Sequence, residues 1–295
     1  MCKKLSNFLL LSLIGFASCT QAADEPVQQL TPDAPDGMHT VEMSLSRAAI
    51  TDFEAAGIDK YTIYVYKIER KTSTLHTEKE VSVNDESVSL SLPLGEQFQA
   101  FAVANAGSVT GKETFETITL SIDPFVDKAV WMSSPVKFAS DKSVSTIALP
   151  LQRVVSRVDF VPAETPEELA TQTSFDKLTL SFTNTAISYK VSGGVAEAYT
   201  LTAETDASKG YKASFYTFET SSIGEESMLD ITYSKGGNVV NTSAGSLETG
   251  VRYAANNLYT MSVPVLSADF VQTPWTTMSR SPRKSVITVT KTSLQ

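Results

Sequence analysis

The sequence predicts an all-β protein built from two sandwich domains. Short runs that alternate apolar and polar residues recur along most of the chain, and a period of two is typical of half-buried strands. Turn residues separate these runs about every 8–12 positions, which favours β-sandwiches over βαβ units. Helical periodicity does not extend over a dozen residues anywhere beyond the N-terminal stretch. The 295 residues suit two domains of common size better than one.

The N-terminal stretch is typical of an exported protein. Lys3 and Lys4 precede an apolar run over residues 5–19, as in a secretory signal, and a membrane span would need about 20 apolar residues. The run ends in Phe16-Ala17-Ser18-Cys19, which resembles the lipobox of bacterial lipoproteins except that the lipobox prefers Leu, Val or Ile where Phe16 stands. The resemblance implies that residues 1–18 are a signal peptide and that Cys19 becomes the lipidated N-terminus, with palmitate among its acyl chains.

Residues 19–38 are predicted to be a lipidated tether. They contain three prolines and almost no large apolar side chain, so they cannot bury enough surface to offset their ordering entropy. We therefore expect this segment to be disordered and extended. In the alternative interpretation, an ordinary signal cut near Ala22-Ala23 leaves no lipid.

The first sandwich domain is predicted over residues 39–150. Its first strand covers residues 41–46 and places Val41, Met43 and Leu45 on one face. The strand over residues 61–66 is rich in tyrosine and β-branched residues, which favour sheets. A short helical turn over residues 48–57 separates these two strands. Further strands are predicted over residues 81–83, 88–92, 98–104, 130–132 and 136–138.

The second sandwich domain is predicted over residues 151–278. The longest β-prone stretch, residues 144–160, suggests one strand that closes the first domain and another that opens the second, with a boundary near Pro150 to Arg153. A short helix is predicted at residues 166–170. Residues 175–184 then echo residues 58–67, since an apolar residue and Asp-Lys lead into an alternating strand in both. Such an echo indicates two related β domains in tandem.

Four features together resemble the fimbrial subunit proteins of Bacteroidales, the group that contains fimbrillins and their short membrane-anchor relatives. They are the lipobox, the acidic and proline-containing tether, the middle stretch Leu149 to Phe160, and the late stretch Tyr253 to Trp275. The resemblance covers nearly the whole chain. It implies two tandem transthyretin-like β-sandwich domains, an outer-membrane lipoprotein at the cell surface or in the fimbrium, and a role in pilus structure, anchoring or assembly.

Little in the sequence points to catalysis. His39 and His76 are the only histidines, and no motif of a metalloprotease, serine hydrolase or nucleotide-binding enzyme is present. The folded part would contain no thiol, because Cys2 leaves with the signal and Cys19 carries lipid. A net charge of −9 argues against a nucleic-acid partner. We therefore expect no enzyme activity, no cofactor and no metal. Adjacent carboxylates beside turn signals are explained as solvated loops: Asp85-Glu86, Glu167-Glu168 and Glu225-Glu226.

Two tryptophans offer an alternative function of a different class. Trp131 and Trp275 could stack on a sugar ring, which would make the protein a glycan-binding lipoprotein of the cell surface. Sandwich cores commonly hold a tryptophan, so burial is favoured for both. Tyr64 and Tyr66 share one face of their strand and are likewise expected in the core or on the sheet surface rather than on a ligand platform.

Arg47 is a candidate processing site by resemblance to the family. In its polymerising members a protease cuts after an arginine near the first strand, and a strand of the next subunit fills the groove that opens. A cut between Arg47 and Ala48 would remove the predicted first strand together with the lipid. The alternatives are an ordinary arginine at the end of a strand, or an anchor subunit that keeps its lipid and is not cut.

Residues 279–295 form a polar, basic linker followed by a C-terminal strand. Ile287 and Val289 lie on one face of this strand and Val286 on the other. A strand behind a linker at a free end can pair outside its own domain, as a donor strand, or can be the last edge strand of its own sandwich. The expected partners are other fimbrial subunits, the outer membrane through Cys19, and a ligand on a host or bacterial surface.

Overall fold

The computed structural model describes residues 37–45, 53, 56–85, 87–194, 196, 198–220, 228–247, 253–266 and 285–294. Their fold is all-β, as the alternating pattern predicts. The strands of the first half are β1 Met38–Ser44, β2 Lys60–Glu69, β3 Thr72–Ser82, β4 Val88–Pro93, β5 Gln97–Ala104, β6 Ser108–Thr110, β7 Thr119–Ser121, β8 Trp131–Ser133, β9 Val136–Ala139, β10 Thr146–Ala148 and β11 Leu151–Arg153.

The second half contains the remaining strands and two short helices. The elements are β12 Val155–Pro162, α1 Pro166–Thr171, β13 Lys177–Thr185, β14 Ser188–Lys190, β15 Tyr199–Asp206, a 3₁₀ turn Ala207–Lys209, β16 Ala213–Phe218, β17 Met228–Lys235, β18 Asn238–Leu247, β19 Asn257–Val263 and β20 Ser285–Ser293. The predicted helix is confirmed as α1, which Thr165 and Glu168 begin with a reciprocal capping box.

Four sheets organise these strands. A three-stranded sheet has the order β10-β1-β4, and a second sheet has the order β11-β8-β5-β2-β3 with β9 beside β5. An eight-stranded sheet of the second half runs β15-β13-β17-β18-β20-β19-β12-β16. A small sheet, β14-β7-β6, joins one strand of the second half to two of the first.

The centre of the first half is the pair β2 and β5. Every residue of β5 after Gln97 is buried, which follows from its near-continuous run of apolar residues. The rings of Tyr64 and Tyr66 stack on Phe101, with centroid distances of 5.4 and 6.2 Å. Both tyrosines are therefore core residues, as the sequence predicts.

A second core lies within the eight-stranded sheet. Phe182 contacts Phe215 and Phe160 across it, with ring centroids 4.7 and 6.5 Å apart. The first core also takes in buried side chains from the second half, among them Val155 and Phe218. Burial of apolar area stabilises each half, and this shared packing ties the second half to the first.

The middle stretch changes partners within a few residues. Leu151–Arg153 pairs with Trp131–Ser133 of the first half, whereas Val155–Pro162 pairs with β16 and β19 of the second. The predicted division into residues 39–150 and 151–278 remains a prediction. The pairings show where the chain passes from one large sheet to the next, which is at Val154.

Three strands differ from the pattern-based expectation. β3 begins at Thr72, nine residues before the predicted run, because its polar side chains alternate on an exposed face that hydropathy does not detect. β18 covers Asn238–Leu247, whereas the pattern predicts a strand only at Val239-Val240. β4 ends at Pro93, one residue beyond the predicted run 88–92. It pairs with β1, whereas β3 pairs with β2.

We predict that alkaline pH unfolds the protein through its buried phenols. Burial raises the pKa of Tyr66, Tyr233 and Tyr253 above the ordinary value of 10.0. The unfolded chain then loses these phenol protons first, so the stability they contribute is complete below pH 10 and falls as the pH rises further. In a titration followed by phenolate absorbance and circular dichroism, part of the absorbance change should appear only together with unfolding.

Tyr233→Phe is the matched variant for that titration. The hydroxyl of Tyr233 is buried and makes no hydrogen bond with any residue that the structure describes. Phenylalanine should therefore keep the fold and remove one late phenol from the absorbance step. Titration of all ten tyrosines near pH 10 with the fold intact would contradict the prediction.

Candidate assembly site

The first strand occupies the centre of its sheet. β1 pairs antiparallel with β4 from Met38↔Pro93 to Met43↔Val88, and parallel with β10 from Glu42↔Thr146 to Ser44↔Ala148. Within the described sheet β4 and β10 are joined only through β1. The strand that the sequence predicts as the removable one is thus the strand that holds the other two together.

Hydrogen bonds attach β1 to the segment that contains β10. Glu42 N donates to Ser145 O at 2.8 Å, and Leu149 N donates to Ser44 O at 2.8 Å. His39 Nε2 donates to Val144 O at 2.7 Å, a bond that spans 105 residues of chain. His39, which the sequence assigns to a structural or solvated role, therefore attaches β1 to the turn before β10.

The turn that receives β1 has its own stabilising contacts. The hydroxyl and amide of Ser143 donate to Asp141 and lower the pKa of that carboxyl, and the positive charge of His39 acts in the same direction to a smaller extent. The carboxylate of Asp141 therefore stays ionised and closes its own turn through Ser143.

The inward face of β1 is fully buried. Val41 and Met43 are 0% exposed, and Leu92 and Leu149 beside them are buried as well. Leu45 packs against the same core from the end of the strand. Glu42, between the two buried positions, faces solvent and accepts a hydrogen bond from the hydroxyl of Ser87. The alternation confirms the predicted inward set of Val41, Met43 and Leu45.

The candidate processing site and the lipid site remain predictions. Arg47, Ala48 and Cys19 lie outside the described residues. β1 ends at Ser44, three positions before Arg47. The predicted cut between Arg47 and Ala48 would therefore separate all of β1 from the chain that follows.

The C-terminal strand pairs inside its own half of the molecule. β20 runs antiparallel to β19 from Ser262↔Thr288 to Asn257↔Ser293, and its first three residues lie parallel to β18. Val286 and Ile287 stand opposite Ser246 and Leu247 in that register. The side chain of Val289 packs on the second core. β20 thus has neighbours on both sides, unlike the last edge strand of the alternative prediction, and its exchange into another subunit remains a prediction.

Trp131 is buried, with 5% of its surface exposed, as the sequence favours, so the aromatic platform of the alternative function is absent there. The guanidinium carbon of Arg153 lies 4.9 Å from the centroid of the indole ring, in cation–π contact. Burial lowers the pKa of the Arg153 guanidinium from its ordinary value. Trp131 is therefore a core residue. It pairs with Arg153, directly before Val154, where the chain passes from one large sheet to the next. Trp275 lies outside the described residues.

The polar residues weighed as catalytic candidates are not brought together. His76 is exposed, and its ring lies edge-on to Phe98 with centroids 5.3 Å apart. Glu168 accepts the capping hydrogen bond of Thr165, which lowers the pKa of its carboxyl. Among the residues that the structure describes, no three acidic, histidine or cysteine side chains are placed to hold a metal ion. In the same part of the chain no helix is both long and apolar enough to cross a membrane.

Sequence reasoning missed the partners of β1. Residues 144–149 stand out only as part of a β-prone stretch, and nothing local indicates that Thr146–Ala148 lies parallel to a strand about 100 residues earlier. The one available signal is the burial of Ile147 and Leu149, which follows from their alternation with Thr146 and Ala148. That pattern identifies a strand and leaves its partner undefined.

No family model matches this sequence, and neither does any curated protein. Similarity is found among solved structures. A candidate polysaccharide-binding protein from Bacteroides thetaiotaomicron has a TM-score of 0.51 at 13% identity, over 76% of this chain and 91% of that protein. A candidate adhesin from Bacteroides ovatus has a TM-score of 0.51 at 13% identity, over 71% of this chain and 82% of that one.

A third structure covers more of the chain. A candidate cell adhesion protein from Bacteroides eggerthii has a TM-score of 0.51 at 16% identity, over 88% of this chain and 95% of that protein. At these identities the comparisons establish a shared fold. The chain has the fold of these three proteins along most of their length.

Proposed function

We propose that this protein is a structural or anchoring subunit of a bacterial surface fimbria, which assembles by donor-strand exchange and contributes to cell adhesion. The observation that carries the proposal is the place of β1, which is the central strand of its sheet and supplies fully buried side chains to the first core. The chain shares its fold with a candidate adhesin and a candidate cell adhesion protein. An outer-membrane lipoprotein at the cell surface, held through Cys19, completes the proposal.

Loss of β1 would leave an acceptor groove. β4 and β10 would both present unpaired backbone groups toward the gap, and such edges are templates for another strand. The places of Val41 and Met43 in the core would be empty, so an incoming strand would need apolar residues two positions apart. Two tandem transthyretin-like sandwiches, divided near residue 150, would each remain closed apart from this groove.

β20 has the composition of a donor. Ile287 and Val289 are two positions apart and therefore on the same side of a strand, as are Val41 and Met43. Leaving β19 and β18 would break one set of ladder hydrogen bonds, and entering a groove would form a similar set. Because the two sets nearly offset each other, exchange depends on an acceptor that is open, which the cut after Arg47 would provide.

The test compares two recombinant chains without lipid, residues 20–295 and residues 48–295. The longer chain should remain a monomer in size-exclusion chromatography, and the shorter chain should form a ladder of oligomers. Removal of residues 285–295 from the shorter chain should abolish the ladder. A synthetic peptide of residues 285–295 should bind the shorter chain at one-to-one ratio and leave the longer chain unbound.

The N-terminus from native cells decides between the two subunit roles. A chain that begins at Ala48 indicates a polymerising subunit, and a lipidated Cys19 as the sole species indicates an anchor. Donor-strand exchange would be refuted if the chain of residues 48–295 were folded and monomeric and did not bind the peptide of residues 285–295. Recovery of an unlipidated N-terminus near Ala22 would refute the lipid anchor.

A further inference from the structure

The aromatic side chain of Phe125 is exposed to solvent although the backbone around it is hydrogen-bonded to the second half of the chain. Phe125, in the segment between β7 and β8, is 50% exposed. Its backbone is nevertheless fixed, since Tyr216 N donates to Pro124 O at 2.8 Å and Phe125 N donates to Asp123 Oδ1 at 3.2 Å. Asp127 of the same segment forms an ion pair with Arg157 at 3.1 Å. The segment therefore presents Phe125 in a defined position.

Two clefts meet at Phe125. The larger, of about 430 Å³, lies between β15 and β16, the two edge strands of the eight-stranded sheet. The smaller, of about 180 Å³, is lined by Arg157, Tyr216 and the segment itself. Binding clefts for small organic molecules fall in a range of about 300–1,000 Å³, so the larger cleft alone has room for a short oligosaccharide.

Most residues that line the larger cleft have polar or charged side chains, and Phe125 contributes the one aromatic ring. Thr202 and Ser214 offer hydroxyl groups that both donate and accept hydrogen bonds. Apart from Phe125, the apolar contribution is limited to two alanines, whereas sites for apolar ligands are lined mostly by hydrophobic side chains. One exposed ring beside hydroxyl and charged groups suits a sugar, whose C–H face packs on an aromatic side chain while its hydroxyls hydrogen-bond at the edges.

The charge of the larger cleft opposes that of the whole chain. Lys209 and Lys212 line it together with Glu204, in a protein of net charge −9. Glu204 is already paired with Lys177 at 3.0 Å. Lys209 Nζ donates to the backbone oxygen of Glu204, at 3.2 Å, and its charge also acts on the carboxylate of Asp206. Lys212 Nζ makes no ion pair or hydrogen bond within the described residues. The cleft therefore has positive charge left for an anionic ligand.

We propose that the cleft at Phe125, between β15 and β16, binds an acidic oligosaccharide, whose ring packs on Phe125 and whose carboxylate or sulfate pairs with Lys212 and Lys209. The inference rests on the proposed role in adhesion and deepens it by naming the ligand class. An extended acidic peptide that adds to the open edges of β15 and β16 is the competing occupant.

The test uses the monomeric chain of residues 20–295 and three acidic probes: tetragalacturonic acid, a chondroitin sulfate tetrasaccharide and sialyllactose. Saturable binding of at least one of them, at up to ~10 mM in calorimetry or NMR titration, is expected. Methyl-esterified tetragalacturonate and poly-glutamate are the neutral-sugar and acidic-peptide comparisons. Added salt should weaken binding of the acidic sugar, because the lysines are exposed.

Phe125→Ala should lower the affinity about tenfold and Lys212→Ala about fivefold. The controls are Leu94→Ala, which removes another exposed large apolar side chain, and Lys142→Ala, which removes another exposed lysine. Both residues lie in the first half, away from the cleft, and their changes should leave affinity unchanged. Circular dichroism melting of each variant checks the fold. The proposal is overturned if no acidic probe binds, if poly-glutamate binds and the sugars do not, or if the two cleft variants bind like wild type.

This experiment is independent of assembly, because the chain used is the monomer. The Phe125→Ala and Lys212→Ala changes are then placed in the chain of residues 48–295, where the oligomer ladder should persist. Loss of sugar binding with an intact ladder would refute the ligand and leave the fimbrial role. If the chain of residues 48–295 without these substitutions bound the sugar but formed no ladder, the fimbrial role would be refuted and the ligand proposal would remain.

Discussion

Replacing Met43 by alanine is expected to lower the free energy of unfolding by about 2–5 kcal/mol. Met43 is 0% exposed at the centre of the three-stranded sheet, and the strands on both sides fix the backbone around it. The cavity left by the missing atoms cannot collapse easily, so the loss combines burial and cavity formation. Met43→Asp should prevent folding, because a carboxylate would be buried without a partner.

Glu42→Gln is the matched control for Met43→Ala. Glu42 lies on the same strand, one position earlier, with its side chain exposed, and glutamine keeps an oxygen that can accept the hydrogen bond of Ser87. Its effect should be within about 0.5 kcal/mol. Urea unfolding of the chain of residues 20–295 gives both values. Equal stability of Met43→Ala and wild type would show that β1 contributes little to the first core, and the acceptor-groove proposal would lose its basis.

Gly111→Ala is the second large effect, at about 2–4 kcal/mol. Gly111 has a φ of +62°, and an added Cβ would lie 3.0 Å from the carbonyl carbon of Thr117 and closer still to its oxygen. The hydroxyl of Thr117 donates to Gly111 O at 2.7 Å, and this hydrogen bond holds the two residues close together. The atoms that the methyl group would meet belong to the backbone carbonyl of Thr117. A flexible side chain could rotate out of the way, but a backbone carbonyl can move only if the turn itself is distorted.

Gly210→Ala separates the clash from the backbone conformation. Gly210 has nearly the same φ, +61°, but an added Cβ would meet nothing within 4 Å. Only the left-handed conformation then opposes alanine, at a cost of about 1 kcal/mol. Thermal unfolding should show a melting temperature well below wild type for Gly111→Ala and close to it for Gly210→Ala. Equal shifts would show that the turn at Gly111 yields to the methyl group.

Local pattern was sufficient to predict strands and failed at their pairing. The alternation of Val41 with Met43 predicted both β1 and its buried face, since one face of a strand packs on a core. The same rule missed the N-terminal part of β3 and most of β18, where both faces carry polar side chains. It also left the partner of the run 88–92 undefined, which the structure shows to be β1. Pairing depends on which edges meet after the chain has folded, and no short window of sequence contains that information.

The candidate sites divide in the same way. The apolar strand at Val286, Ile287 and Val289 was visible from composition, but its place between β18 and β19 was not. Phe125 stood out in no motif, because the position of its segment depends on a backbone hydrogen bond between Pro124 and Tyr216, 92 residues apart. Lys209 and Lys212 gain their relevance only from the cleft that they share with Phe125.

The sequence by itself determined the all-β class, the helix at Pro166 and the inward face of the first strand, because each follows from the periodicity or capping chemistry of neighbouring residues. Only the tertiary structure decided that β1 is a central strand, that Trp131 is buried beneath Arg153, and that a polar cleft surrounds Phe125. These depend on contacts between residues far apart in the chain, whose formation reflects the packing of the whole core rather than the preference of any segment.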